Sequence, residues 1–108
     1  MTYTIFLHLR ALPAWLALPR TERDAVAAEA LLLADFDRAG SLRFFDAEAF
    51  TARCSDIAMV TTADLQAFYF AIERLRDTAL FATPYFELVS ILPCIENGFQ
   101  HFAAEAAA

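Results

Sequence analysis

Residues 55–80 read SDIAMVTTADLQAFYFAIERLRDTAL, and the period of their apolar residues changes partway. Ser55 to Thr61 is a short apolar run, which predicts a strand. From Thr61 to about Leu80, residues Leu65, Phe68, Tyr69, Ile72, Leu75 and Ala79 recur at helical spacing. Glu73, Arg76 and Asp77 mark the wet side of that helix. Thr61 and Asp64 stand as in a capping box, with Asp in place of the usual Glu, so the helix is expected to open at Thr61.

The same unit precedes this one. Residues 2–10 alternate Tyr3, Ile5, Leu7 and Leu9 with Thr4, Phe6, His8 and Arg10, a period of two. Pro13 and Pro19 bracket a turn holding Trp15 and Leu16. A second Thr-x-x-Asp box, Thr21 to Asp24, then opens a helix expected to reach about Arg38, with Val26, Ala30, Leu33 and Phe36 as its stripe and Leu32 beside them. Gly40 sits where a helix stop belongs. Ser41 to Asp46 reads as a strand, and Tyr85 to Leu92 as another that Pro93 should stop. Residues 99–108, with Phe99, Phe102 and a run of Ala, suit a short helix or a frayed end. The order strand, helix, strand, strand, helix, strand over residues 1–98 predicts one α+β domain of ferredoxin-like βαββαβ topology. Its four-stranded antiparallel sheet should have strands one and three in the centre.

At 108 residues the chain holds one domain, and 59% hydrophobic content with 20% charge excludes disorder. No stretch reaches about 18 uninterrupted apolar residues, so no membrane span is expected. No basic residue precedes the first apolar run, which argues against a signal peptide and for a cytoplasmic protein. The formal net charge is −6, and the eight basic residues, all Arg, are scattered, which disfavours nucleic acid and anionic membranes as partners. Cys54 and Cys94 form no metal or redox spacing and read as free thiols. There is no P-loop, no GxGxxG among only two glycines, and no HExxH pattern. Neither a cofactor nor a metal is expected.

In this topology both helices cover one sheet face, and the other should alternate cleanly between apolar and polar residues if it faced water. It does not. Leu42 and Phe44 lie on one parity of strand two and Phe45 on the other, while strand four carries Phe86 and Leu88 on one and Tyr85, Val89 and Ile91 on the other. A homodimer that buries about 800 Å² per partner would cover such a face. The rival cover is the tail, folded back over its own sheet.

By strand parity the second face collects Phe6, His8 and Arg10, then Arg43 and Phe45, then Asp56, Ala58 and Val60, and finally Tyr85, Glu87, Val89 and Ile91. Glu87 should lie close to His8 or Arg10 at the end of strand one; a His8–Glu87 pair would do acid–base work, with Arg43 holding an anionic or enolate oxygen. Trp15, Phe45, Asp56 and Tyr85 would contact a ligand, Trp15 either as a lid or as a plug for its loop. The competing account has these charges paired across the dimer interface or at strand ends in water. Asp46, Glu48 and Arg53 in the long connection read either as a ligand clamp or as a hydrogen-bonded turn.

Several stretches resemble the darcynin family: Arg43-Phe44-Phe45-Asp46-Ala47-Glu48-Ala49-Phe50 with Ser55-Asp56, Thr62-Ala63-Asp64-Leu65, Leu75-Arg76-Asp77-Thr78, Tyr85-Phe86-Glu87 and Ile95-Glu96-Asn97-Gly98. A looser similarity runs through Pro13 to Pro19. The resemblance implies a bacterial protein with a ferredoxin-like fold of the dimeric α+β-barrel type. It implies no activity and carries over no catalytic residue. That barrel class includes cofactor-free monooxygenases, isomerases, haem proteins and binding modules. The expectation is therefore a dimeric small-molecule-binding protein or cofactor-free enzyme, with an interaction module without ligand, or a haem protein, as the alternatives.

Overall fold

Strand β1 (Tyr3–Ala11) places Ile5, Leu7 and Leu9 on one side, all buried, and Phe6 and His8, half-buried, on the other. The computed structural model that shows this describes residues 1–107. β1 is central: it pairs antiparallel with β3 (Asp56–Thr62) on one side and β4 (Phe86–Cys94) on the other, and β2 (Ser41–Asp46) adds beyond β3. The order β2-β3-β1-β4 is the expected one. A short helix α1 (Pro13–Leu16) and then α2 (Arg20–Leu33) follow β1. α3 (Leu65–Arg76) and the short α4 (Ala79–Ala82) join β3 to β4, and α5 (Gly98–Ala107) follows β4. The core gathers Ile5, Leu7, Leu9, Ala58 and Val60 from the sheet with Ala30, Phe36, Phe68, Ala71, Ile72 and Leu75 from the helical side. Among the described residues no helix is long and apolar enough to cross a membrane.

The capping boxes resolve differently. α2 starts one residue before Thr21, at Arg20, with Pro19 at the cap and no side-chain cap bond. The Pro19 carbonyl accepts from the backbone N–H groups of Glu22 and Arg23 instead. At the second box β3 runs on through Thr62, and Asp64 rather than Thr61 caps α3, accepting from Ala67 N–H at 3.0 Å. The buried Thr62 hydroxyl accepts from Asp64 N–H at 3.1 Å and closes the turn.

Both long helices end early. α2 stops at Leu33, where Asp35 takes a left-handed backbone (φ 52°) that short polar side chains tolerate, and a 3-10 turn Phe36–Arg38 follows. Phe36 therefore leaves the helix stripe and meets Phe68 edge-on, with ring centroids 6.4 Å apart. Leu32 and Leu33, expected to be core, are 81% and 62% exposed. Arg74 of α3 donates to the Ala34 carbonyl at 2.6 Å, satisfying an end group of α2. α3 stops at Arg76, and the buried Thr78 hydroxyl donates to the Leu75 carbonyl at 2.6 Å, short of the expected Leu80. Gly40 (φ 150°) enters β2 so close to its neighbour that a Cβ would lie 2.0 Å from the Thr61 carbonyl oxygen.

β4 continues through Pro93 to Cys94. It is an edge strand, where a missing N–H that faces outward breaks no ladder bond. The tail forms α5 and projects from the sheet instead of folding over it; of the tail residues, Ala108 lies outside the described ones.

The two caps make opposite predictions. Asp64→Ala should cost about 1 kcal/mol, because it frees a helix N–H. Thr21→Ala should stay within about 0.5 kcal/mol, as for an ordinary surface change. Urea unfolding of both variants checks this, and a larger loss at Thr21 would contradict the observed cap.

Candidate functional site

Register assigns each strand residue to a face. On the face without helices, one row across the sheet runs Phe45, Ile57, His8, Ser90, and the next runs Arg43, Met59, Phe6, Leu92. Asp56, Ala58 and Val60 pair with Leu9, Leu7 and Ile5, so they lie on the helix-covered face, contrary to the parity assigned from sequence. Ile57 and Met59 replace them on the open face; both parities of β3 are apolar, so alternation could not choose between them. In β4 the register shifts opposite His8 and Leu9, leaving Val89 as an extra residue. Glu87 stays on the open face, across from Arg10, while Ile91 faces the helices across from Leu7.

The open face separates the three polar candidates. His8 Nδ1 is 2.9 Å from the Ser90 hydroxyl. Glu87 lies 3.8 Å from Arg10 Nε, and Arg10 also donates to the Arg53 carbonyl at 2.6 Å. Arg43 lies over the Phe45 ring, 5.3 Å from its centroid, two strands and so about 10 Å from β1. No His8–Glu87 pair forms; of the two β1 residues expected near Glu87, Arg10 is the one that meets it.

A half-open pocket lies on the other side. α2 buries only Ala30 along its 14 residues and packs on α3, α4 and the 3-10 turn. Between it and the sheet is a cavity of about 690 Å³. Leu7, Leu9, Leu42 and Ala58 floor it, Phe36, Leu75, Leu80 and Phe86 line it, and Arg20, Arg23, Asp24, Ala27 and Leu31 of α2 form its wall. The α2 set recurs at three and four residues, one helix face that is charged near its N-terminus and apolar deeper in. This face lies beside the expected stripe, which is why the stripe did not disclose it.

Trp15 also lines this cavity, half-buried. Its ring packs 4.7 Å from Phe86 and 5.7 Å, edge-on, from Tyr85. Tyr85 precedes β4, and its carbonyl accepts from Leu12 N–H at 2.9 Å. Arg23 fixes the Trp15 segment from below, donating to the carbonyls of Leu18 at 3.0 Å and Leu16 at 2.9 Å. Sequence reading missed this role of Arg23, because nothing in its neighbours signals a contact back across Pro19.

The β2–β3 side of the cavity is acidic. Asp46 and Asp56 face each other across β2 and β3, and carboxylate oxygens of Asp46, Glu48 and Asp56 lie within 4.8 Å of one another. Partial burial holds the Asp56 carboxyl above its ordinary value; the 2.7 Å hydrogen bond from the Ser55 hydroxyl works against this, and Asp46 and Glu48 reinforce it. Hard cations are bound by such groups, but proximity alone makes no metal site. Haem iron takes His, Cys, Met or Tyr as its axial protein ligand. The cavity lining has none of these, so the cavity does not fit a haem. His101, Cys94 and Met59 instead line a comparably open and somewhat larger cleft, of about 850 Å³, between the open face and the base of α5.

Comparison with known proteins agrees with this architecture. A chlorite dismutase from Candidatus Nitrospira defluvii, solved in complex with imidazole, superposes with a TM-score of 0.68 at 15% identity, over 85% of this chain and 38% of that one. A mutant of the same protein matches 99% of this chain and 48% of its own at a TM-score of 0.67. At such identity the likeness is one of fold, and this chain spans less than half of either. By sequence, Darcynin from Chromobacterium violaceum is 53% identical over 66 residues, which are 61% of this chain and 84% of that protein. A Darcynin homolog from Granulibacter bethesdensis is 36% identical over 98 residues, 89% of this chain and 78% of that protein. The family model described as Darcynin, domain of unknown function, matches residues 1–108, and the chain belongs to the Darcynin family.

Proposed function

We propose that this chain is a homodimeric small-molecule-binding protein whose two sheet faces have separate tasks. The open face pairs with a second copy, and the helix-side cavity holds the ligand. The observation that carries the second part is the stand-off of α2, which buries one residue on its own account while walling a cavity of about 690 Å³. That volume falls in the range of about 300–1,000 Å³ usual for small-molecule sites, and its lining is mostly apolar, with Arg20, Arg23, Asp24, Asp46, Glu48 and Asp56 as its charged groups. A ligand with an apolar body suits it. Trp15 and Asp56 belong to this site; His8, Arg43, Phe45 and Glu87 belong to the paired face, where each has a neighbour to hold it. The haem alternative would have to use the cleft beside His101, and a Soret band after expression with iron would favour it.

Trp15 is the chain's single tryptophan and reports on the cavity directly. The neutral dye phenylnaphthylamine should bind once per chain and take energy from Trp15. Ala27→Phe, which fills the cavity from α2, should weaken that binding about tenfold or more, a loss of about 1.4 kcal/mol. Equal binding by the variant and the wild type would remove the cavity as the site.

The acidic side of the cavity has a pH signature. A carboxyl held above its unfolded value binds its proton more tightly in the fold. Its ionised form therefore costs stability at neutral pH, and that cost fades as pH falls through the folded value. Asp56→Asn should raise the melting temperature at pH 7 and raise it much less near pH 3.5; an equal gain at both would exclude this origin.

Pairing through the open face is checked at Met59, in the central rows of that face. Met59→Glu puts an unpaired charge into the interface and should raise the dimer Kd at least a hundredfold by sedimentation equilibrium. An unaffected dimer would place the interface elsewhere.

A further inference from the structure

Helix α5 has two unlike faces, and among the described residues nothing covers one of them. Phe99, Phe102, Ala103 and Ala106 fall at i, i+3, i+4 and i+7, with the Phe rings 6.3 Å apart. Gln100, His101 and Glu105 take the other side. Phe99 is 79% exposed and Phe102 66%. The helix leaves the sheet on its open side, since Glu96, Asn97 and His101 line one cleft with Thr4, Phe6, Met59 and Thr61. Asn97, in a left-handed backbone (φ 52°), makes the turn that sends it outward. The molecule is long in consequence: it extends 56 Å by 31 Å by 18 Å, with a radius of gyration of 15.7 Å against about 13 Å for a compact chain of this length.

We infer that α5 is an arm exchanged between two copies of the chain, each arm lying with its Phe99–Phe102 stripe on the other copy and closing the other side of the cleft at its own base. This rests on the dimer reading above. Area is what singles out a second copy. Four strands at about 4.8 Å spacing and about 25 Å length give the open face roughly 500 Å² in projection. An interface of standard size takes about 800 Å² of accessible surface from each partner, so a flat face of this size is near the lower bound for a stable pair. A ten-residue helix is about 15 Å long and about 10 Å wide, and each copy both gives one arm and receives one. The two contacts add roughly 300 Å² in projection, more than half as much again as the face alone. A lipid surface is a poorer occupant: interfacial helices carry Lys and Arg on their polar face, and α5 has neither.

The test compares the wild-type chain with the double variant Phe99→Ser, Phe102→Ser and with the control Gln100→Ser, Glu105→Gln, by sedimentation equilibrium over nanomolar to micromolar concentration. The double variant should raise the dimer Kd at least a hundredfold with unchanged far-ultraviolet circular dichroism, and the control should stay within about threefold. A dimer that the double variant leaves intact would overturn the arm while leaving the dimer reading in place. A monomeric wild type would overturn both; if it then co-sediments with phosphatidylcholine and phosphatidylglycerol vesicles, and the double variant does not, the arm's occupant is lipid.

Discussion

Two ladders hold β1 in the middle of one small sheet, and most of the rest follows from which way its side chains point. Ile5, Leu7 and Leu9 pair with Val60, Ala58 and Asp56 on one neighbour and with Pro93, Ile91 and Leu88 on the other, so a single parity of one strand sets the core side of three. Ile5 and Val60, directly opposed and without solvent exposure, are its tightest point. A one-residue slip would carry every one of these side chains to the other face. The bulge at Val89 keeps the pairing correct along β4 while its two halves follow opposite parities.

Two helices on one side of such a sheet cannot cover both faces, and here they do not cover even one completely. α3 packs closely, burying Phe68, Ala71, Ile72 and Leu75, whereas α2 buries Ala30 alone. The difference lies in the sequence of the two helices. α3 carries large apolar residues at consecutive turns; α2 offers Ala27, Ala30 and Leu31 where bulk would be needed, and its Leu32 and Leu33 point outward. Small residues on a helix held at both ends leave space beneath it, a half-open pocket where a closed core would be packed to its usual density. The ends are held by Arg23, tied back across Pro19, and by Arg74, bonded to the Ala34 carbonyl.

The topology was legible from the sequence because it depends on long periodic stretches: the alternation of residues 2–10, the stripe from Leu65 to Leu75, and the order of elements. The parity of β3 and β4 was not legible. Ile57 and Met59 are as apolar as Ala58 and Val60, and a bulge has no signature in Leu88-Val89-Ser90. Those two uncertainties moved Asp56 and Ile91 to the wrong face; the Glu87 side was read correctly, and of His8 and Arg10 it is Arg10 that meets it. Trp15 and Asp56 were singled out as ligand contacts without the cavity that joins them, because α2 approaches the sheet through a face no stripe advertises.

The distribution of apolar surface argues for a division of labour. Soluble monomers seldom leave large apolar groups exposed in contiguous sets. Here Phe45 and Leu92 on the open sheet face and Phe99 and Phe102 on the arm that leaves it form one such set, while Leu32, Leu33 and Phe50 are exposed apart from it. Acidic groups gather elsewhere, on the β2–β3 side of the helix-side cavity. An arrangement in which the apolar face met a ligand and the cavity stayed structural would leave the arm without a function and the three carboxylates repelling one another to no end. With a second copy on the open face, the arm has a surface to lie on, and the cavity, whose lining contains no α5 residue, stays open to solvent at its mouth. Binding of a ligand and pairing of the chains are then compatible in one molecule, because they use opposite sides of the same four strands.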